Sequence, residues 1–141
     1  MDEINEITGR ITRLAYRVHS ELGPGLMEKV YESVLERALR RAGLQVERQR
    51  PVSFEFDGMR FENAFCVDLL VEERVVVELK SVEKLAPLHH KQVLTYLRLL
   101  DLPVGIPANF GAANMNAGLF RILNQRASGP LPILTPPRIS A

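Results

Sequence analysis

The amino-acid sequence predicts an α/β domain in which helices flank a mixed β-sheet. Apolar residues recur every three or four positions over residues 4–21 and 27–42, which is typical of two amphipathic helices. Strand-like runs follow between residues 46 and 80, and the Asp57-Gly58 pair is typical of a hairpin turn between two of them. A third helix beginning near Pro87 and a strand at 104–110 complete the order α-α-β-β-β-α-β. The sheet should therefore contain four strands or more.

Several predicted elements are bounded or typed by particular residues. Gly23-Pro24-Gly25 ends the first helix, and Gly43 stands where a C-cap glycine belongs. Val75-Val76-Val77 predicts a strand that is buried on both faces, near the centre of the sheet. Pro107 cannot donate a ladder hydrogen bond, so we expect the fourth strand to lie at an edge or to contain a bulge. Residues 117–124 are apolar without a clear period.

The chain divides into one domain and a tail. Residues 1–124 carry all the periodic segments, and 141 residues are enough to bury a hydrophobic core. Residues 125–141 contain four prolines, which predicts an extended or disordered tail.

The composition excludes several classes of protein. Cys66 is the only cysteine, so there is no disulfide framework and no cysteine zinc cluster, and we expect it to be a small buried hydrophobe. A net charge of +1 argues against a protein that coats nucleic acid through bulk charge. No stretch approaches the roughly 18 apolar residues of a membrane span, and the N-terminus lacks the order of a secretory signal. We expect a cytoplasmic protein with no membrane partner.

Charged residues in the most buried strand are the main indication of function. Glu78 and Lys80 are two apart and point to the same face, where burial is costly unless they pair or meet a metal ion. A two-residue turn at 72–73 would place Asp68 of the preceding strand on the opposite face from Glu78. A three-residue turn at 72–74, or one bulge, would place Asp68 directly across from Glu78. We predict the second register.

Paired carboxylates of this kind suit Mg²⁺ or Mn²⁺ better than zinc. The metal would activate a water molecule and neutralise phosphate charge, and Lys80 would orient that water or stabilise developing negative charge. The competing interpretation is a Glu78–Lys80 ion pair at the strand end, with Asp68 unrelated to it. Spacing alone favours neither.

Polar residues on the predicted helices are further candidates. Gln92 falls on a helical stripe that should be apolar, and a buried glutamine needs hydrogen-bond partners. Glu28 opens the second helix on the face of Tyr31, where the helix dipole alone explains a carboxylate. His19 could enter the site or be a C-terminal helix histidine. His89 and His90 diverge by about 100°, so we interpret them as structural or surface residues.

These residues resemble a known family. Gly25-Leu26-Met27-Glu28-Lys29-Val30-Tyr31 resembles the signature of the GxxExxY proteins, a branch of the PD-(D/E)XK nuclease superfamily. Five more segments resemble that family in order, and the similarity spans about residues 5–124: the lead-in at residues 18–25, Asp68-Leu69-Leu70-Val71, Glu78-Leu79-Lys80, residues 92–97 and Asn109-Phe110-Gly111. Pro107 departs from the family's usual aliphatic strand.

The resemblance implies a restriction-endonuclease-like core with a specific set of roles. Asp68 and Glu78 would be metal ligands, Lys80 the catalytic lysine, Glu28 the first-helix acid and Gln92 the helical glutamine. His19 and Tyr31 are accessory candidates.

The leading hypothesis is a metal-dependent nuclease that hydrolyses nucleic acid, with DNA favoured over RNA. A homodimer is a further expectation, because two sites cut both strands of a duplex more easily. One alternative is a catalytically silent module of the same fold that binds nucleic acid or protein. Another is a metal-dependent hydrolase of a smaller phosphorylated substrate.

Overall fold

The computed structural model describes residues 2–125, so the predicted tail lies outside the described residues except for Gln125. The helices are α1 (Asp2–Leu22), α2 (Glu28–Arg41) and α3 (Pro87–Leu100), with a short 3₁₀ turn at Met115–Ala117. The strands are β1 (Val46–Phe56), β2 (Met59–Val71), β3 (Val75–Lys80), β4 (Val104–Asn109) and β5 (Ile122–Leu123). No helix in this part of the chain is long and apolar enough to cross a membrane.

The five strands form one mixed sheet in the order β1-β2-β3-β4-β5. β1, β2 and β3 form an antiparallel meander, β4 is parallel to β3, and β5 is antiparallel to β4. The parallel step requires a crossover, which α3 supplies. The predicted α/β class, element order and mixed sheet are confirmed, and the segment that sequence patterns could not type contains β5.

The sheet is covered on both faces. One core joins α1 and α2 to a face that includes Val75 and Val77, and the other joins Val93 and Leu97 of α3 to Val76. All three valines have no exposed surface, and each such side chain stabilises the fold by roughly 1.5–3 kcal/mol. The prediction of a strand buried on both faces is confirmed.

The turn between β2 and β3 has the predicted register. Val71 pairs with Val75 and Leu69 with Val77, so residues 72–74 form a three-residue turn. Two of its residues, Glu72 and Glu73, adopt left-handed backbone conformations with φ of 54°. Continuing this register places Asp68 opposite Glu78.

The expectation that Pro107 lies at an edge or in a bulge is wrong. β4 is a buried interior strand, in which Pro107 pairs with Glu78 of β3. The Pro107 carbonyl accepts from the N–H of Phe120 on the other side of the strand. A residue's N and O point to the same side of a strand, so the missing N–H also faces away from β3. No bond between β3 and β4 is therefore lost.

Two burial predictions are also wrong. Gln92 is exposed, because the buried stripe of α3 consists of Val93 and Leu97, which pack against Gly105 of β4. Gln92 and Leu88, which is 71% exposed, lie one residue before that stripe. Cys66 is exposed because it lies in the outer half of the β1–β2 hairpin, beyond most of the buried residues of β2.

Candidate metal centre

Asp68 and Glu78 lie just beyond the Leu69–Val77 pair of the β2–β3 ladder. At this point side-chain carboxylates accept the hydrogen bonds of the strand backbones. The backbone N–H of Asp68 donates to Glu78 Oε2 at 3.2 Å. Asp68 Oδ2 accepts from the N–H of Leu79 at 2.9 Å. These bonds fix both carboxylates at the end of the central strand.

Glu78 is a buried carboxyl with 7% of its surface exposed. Burial, followed by the neighbouring Asp68, raises the pKa of Glu78 to about 10, although the Asp68 N–H and Lys80 act in the opposite direction. When both carboxylates are ionised, the positive charge around them is therefore too small to balance their negative charge. A divalent cation between the two carboxylates would supply that charge.

Lys80 is half-buried and follows Val76 and Glu78 on the side of β3 that faces α3. Within residues 2–125 no ion pair joins its ammonium group to Glu78, although its charge favours the ionised form of Glu78. The ion pair of the competing interpretation is therefore not formed. The Lys80 backbone carbonyl accepts from the N–H of Phe110 at 2.8 Å. This bond anchors the strand backbone at Lys80 to the loop after β4, and the ammonium group remains without a hydrogen bond in the described part of the chain.

A polar cluster that sequence patterns did not identify lies beside Asp68. Gln49 Nε2 donates to Asp68 Oδ1 at 3.1 Å and to both carboxylate oxygens of Glu32. Arg48 forms an ion pair with Glu32 at 2.5 Å, and this hydrogen bond raises the pKa of Arg48. Glu32 shares the buried face of α2 with Leu35 and Leu39, so its place in the helical period was an available signal.

Tyr96 is a second residue near the carboxylates that the sequence did not single out as functional. Its ring stacks on Phe65 of β2, with 4.0 Å between ring centroids. Burial raises the pKa of the Tyr96 phenol, and the charges of Glu78 and Asp68 raise it further. The phenol therefore lies within electrostatic range of both carboxylates.

Two predicted site residues make no contact with this centre. Glu28 is the exposed first residue of α2, and no hydrogen bond or ion pair to its side chain occurs in the described part of the chain. Gln92 is exposed one helical turn before Tyr96. The turn before α2 does approach β3, because Ser81 Oγ donates to the Leu26 carbonyl at 2.6 Å.

His19 and Tyr31 lie in a packed cluster between the helices and the loop after β4. The Tyr31 hydroxyl donates to the Gly23 carbonyl at 2.5 Å and accepts from the N–H of Leu26 at 3.1 Å, and its ring stacks on Phe110. His19 Nε2 lies 2.8 Å from the Ala112 carbonyl. Both side chains hold the α1–α2 turn against the sheet.

Asn109, the histidines of α3 and the following loop have structural contacts. Asn109 Oδ1 accepts from the N–H groups of Val82 and Gly111, both at 3.0 Å, which ties the loops after β3 and β4 together. His89 Nδ1 accepts from the N–H of Ala86, and His90 packs edge-on against Phe120. Both histidines therefore make local contacts, one at the start of α3 and one with the segment that precedes β5.

Comparison with known proteins identifies the family. A model of the PD-(D/E)XK nuclease superfamily matches residues 5–122. The chain belongs to this superfamily. No curated protein and no solved structure matches the chain.

Nucleases of the PD-(D/E)XK superfamily typically use divalent metal ions. The carboxylates of Asp68 and Glu78 are hard oxygen donors, which suit such an ion. Residues 2–125 contain no group of three or more His, Cys, Asp and Glu side chains placed to hold a metal ion, so Asp68 and Glu78 would be the protein's two ligands. Magnesium commonly keeps several waters and binds through one or two carboxylates plus substrate phosphate. Asp68 and Glu78 match that mode better than they match a closed zinc site.

Proposed function

We propose that this chain is a metal-dependent nuclease that hydrolyses phosphodiester bonds, with DNA as the favoured substrate. The observation that carries the proposal is the junction of Asp68 and Glu78, with Lys80 two residues further along the same strand face. Hydrogen bonds at 2.9 and 3.2 Å from backbone N–H groups hold the two carboxyl groups side by side. Because burial and like charge oppose ionisation of both groups, Glu78 must either keep its proton or share a cation with Asp68.

Asp68 and Glu78 would hold Mg²⁺ or Mn²⁺. The metal supplies a Lewis acid for the phosphate and a bound water of lowered pKa. Lys80 supplies positive charge beside the carboxylates, where it stabilises charge that develops on the phosphate. Its position on an interior strand places the side chain on the same face of the sheet as the two carboxylates.

Glu28 and Gln92 are proposed as substrate-side residues of the same centre. Both are exposed, and each belongs to an element next to the carboxylates: Glu28 follows the turn that bonds Ser81, and Gln92 precedes Tyr96 by one turn. Their exposure suits contact with a bound nucleic acid better than contact with a buried ion. The signature that contains Glu28 and Tyr31 supports membership of the GxxExxY branch. A cytoplasmic homodimer, with one site for each strand of a duplex, completes the proposal.

Cleavage of single- and double-stranded DNA and RNA, with Mg²⁺ and with Mn²⁺, tests this function. We expect metal-dependent cleavage that is lost in Asp68→Asn, Glu78→Gln and Lys80→Met. Glu62→Gln on the exposed hairpin is the matched control and should cleave normally. Absence of cleavage by the wild type on all four substrates would refute the proposal. Metal-independent binding of oligonucleotides that Asp68→Asn leaves unchanged would support the catalytically silent module, and cleavage of small phosphodiesters alone would support a hydrolase of smaller substrates.

A further inference from the structure

A chain of hydrogen bonds connects Asp68 to helix α2 through the edge strand β1. Gln49 Nε2 lies 3.1 Å from Asp68 Oδ1, and 3.1 and 3.2 Å from the two carboxylate oxygens of Glu32. Arg48 Nε lies 2.5 Å from Glu32 Oε2. The proposed nuclease chemistry uses only the Asp68 end of this chain.

The backbone of β1 is irregular at Gln49. Its φ is +54°, a left-handed conformation that is uncommon for glutamine. Gln49 lies opposite Asp68, between the regular pairs Arg48–Leu69 and Arg50–Val67. Val46 belongs to the core under α1 and α2 whereas Val52 belongs to the core under α3, although six residues would leave both on one face of a regular strand. The strand therefore changes faces here.

Within this chain of hydrogen bonds, Glu32 acts as an acceptor and not as a metal ligand. Only 5% of its surface is exposed, and a buried carboxylate requires a compensating partner. The Arg48 guanidinium supplies that partner and neutralises the charge that would attract a metal ion. Both Glu32 oxygens remain directed at the Gln49 amide, which fixes its orientation.

Both oxygens of Asp68 consequently face fixed donors. Oδ1 accepts from Gln49 and Oδ2 accepts from the N–H of Leu79. An ionised carboxylate has about four acceptor sites, so lone pairs remain free for a cation while the carboxylate plane is fixed. We propose that Gln49, itself oriented by Glu32 and Arg48, is a positioning residue that holds Asp68 ready to bind a divalent cation.

This inference rests on the proposed function, because it assumes a metal ion at Asp68 and Glu78. Loss of a hydrogen-bond partner that orients a metal ligand typically weakens metal affinity about 10- to 100-fold. Gln49 lies at the exposed edge of the sheet. We therefore expect an effect near the lower end, about 10-fold.

Two substitutions remove the contact and respect the backbone. Gln49→Asn keeps an amide but is one methylene too short to join the two carboxylates, and asparagine adopts left-handed conformations readily. Gln49→Gly removes the amide and has no steric penalty at positive φ. Gln45→Asn is the matched control, because Gln45 is exposed near the start of β1 and its side chain makes no hydrogen bond in the described part of the chain.

Calorimetric titration with Mn²⁺ tests the proposal without requiring activity. We expect both Gln49 variants to bind about 10-fold more weakly than the wild type, Gln45→Asn to bind normally, and Asp68→Ala not to bind. Combining Glu32→Gln with Gln49→Asn should weaken binding no further than Gln49→Asn alone, because Glu32 acts through Gln49.

The outcomes separate this inference from the proposed function. Normal affinity in both Gln49 variants, with binding lost in Asp68→Ala, would overturn the positioning role alone. Additive losses in the double variant would overturn the action of Glu32 through Gln49. No Mn²⁺ binding by the wild type would overturn the metal site and the positioning role together.

Discussion

Glu78 accepts a hydrogen bond from the backbone of Asp68, and Asp68 accepts one from the residue that follows Glu78. Each carboxylate therefore completes the hydrogen bonding of the strand that carries the other. Removing either side chain would leave a backbone N–H without its partner, which costs about 1–3 kcal/mol for a buried donor. Amide replacements at these two positions keep the acceptor and remove the charge, so they report on charge separately from structure.

The first prediction concerns the pH dependence of stability in metal-free protein. The pKa of Glu78 is raised from 4.5 to about 10, so the folded state binds this proton more tightly than the unfolded state. The stabilisation is complete below pH 4.5 and is lost as the pH rises towards 10. The free energy of unfolding should fall by up to about 1.4 kcal/mol per pH unit within this window.

Urea denaturation with a chelator present, at several pH values, measures this slope. Glu78→Gln should flatten the slope relative to the wild type, whereas Glu62→Gln should not. Equal slopes in the wild type and Glu78→Gln would contradict the assignment.

The second prediction concerns protons released on metal binding. Binding at Asp68 and Glu78 requires both carboxylates to be ionised, so a cation must displace the Glu78 proton. Mn²⁺ affinity should rise by up to about 10-fold per pH unit around neutrality. Calorimetry in buffers of different ionisation enthalpy should detect about one proton released per ion. Binding without proton release would show that Glu78 is already ionised or is not a ligand.

The third prediction concerns the hydroxyl of Tyr31. Tyr31→Phe should keep the stack on Phe110, but it leaves the Leu26 N–H and the Gly23 carbonyl without their shared partner. We expect a loss of about 1–3 kcal/mol in the free energy of unfolding. Tyr16→Phe is the matched control, because the Tyr16 hydroxyl bonds Asn116 at an exposed position. Chemical denaturation that gives equal losses for the two variants would contradict this interpretation.

The fourth prediction concerns the close approach of α3 to β4. A Cβ at Gly105 would lie 2.5 Å from Val93 Cγ1, so Gly105→Ala should destabilise the fold by about 1–3 kcal/mol. Val93→Ala creates room, so adding it should recover part of that loss in a double-mutant cycle.

Gly9→Ala serves as the control for this pair. Its Cβ would meet only the end of Arg13, at 3.5 Å, and alanine is the better helix former. A slight gain in stability is expected. Purely additive losses for Gly105→Ala and Val93→Ala would show that the two residues are not in steric conflict.

The features that sequence patterns predicted depend on local signals. The hairpin at Asp57-Gly58 follows from two residues that adopt positive φ readily, here 51° and 76°. Three adjacent valines indicated the central strand because only a strand buried on both faces tolerates them. Whether Asp68 faces Glu78 depended only on the number of residues in the turn between β2 and β3. A change of one residue in that turn would move Asp68 to the opposite face of the sheet.

The features that were missed depend on contacts across the fold. Gln49 reaches Asp68 only because β1 changes faces at that residue, and a single left-handed glutamine leaves no trace in the hydrophobic pattern. The predicted edge position of Pro107 is wrong because the rule for proline in strands considers only the loss of an N–H donor. The effect of that loss depends on which side of the strand the N–H would face. The prediction that Gln92 is buried is wrong because a neighbouring stripe of α3, with Val93 and Leu97, contacts the sheet.

The stack between Tyr31 and Phe110 has a consequence for the order in which the chain assembles. The two carboxylates are ten residues apart and meet across a short turn, which is a contact of low sequence separation. Tyr31 instead stacks on a residue almost eighty positions later in the sequence. This contact can form only after α3 and β4 have formed the parallel crossover. Because distant contacts close more slowly than local ones, the stack of Tyr31 on Phe110 should form late. During synthesis on the ribosome, the meander can therefore bring Asp68 and Glu78 together well before Tyr31 meets Phe110.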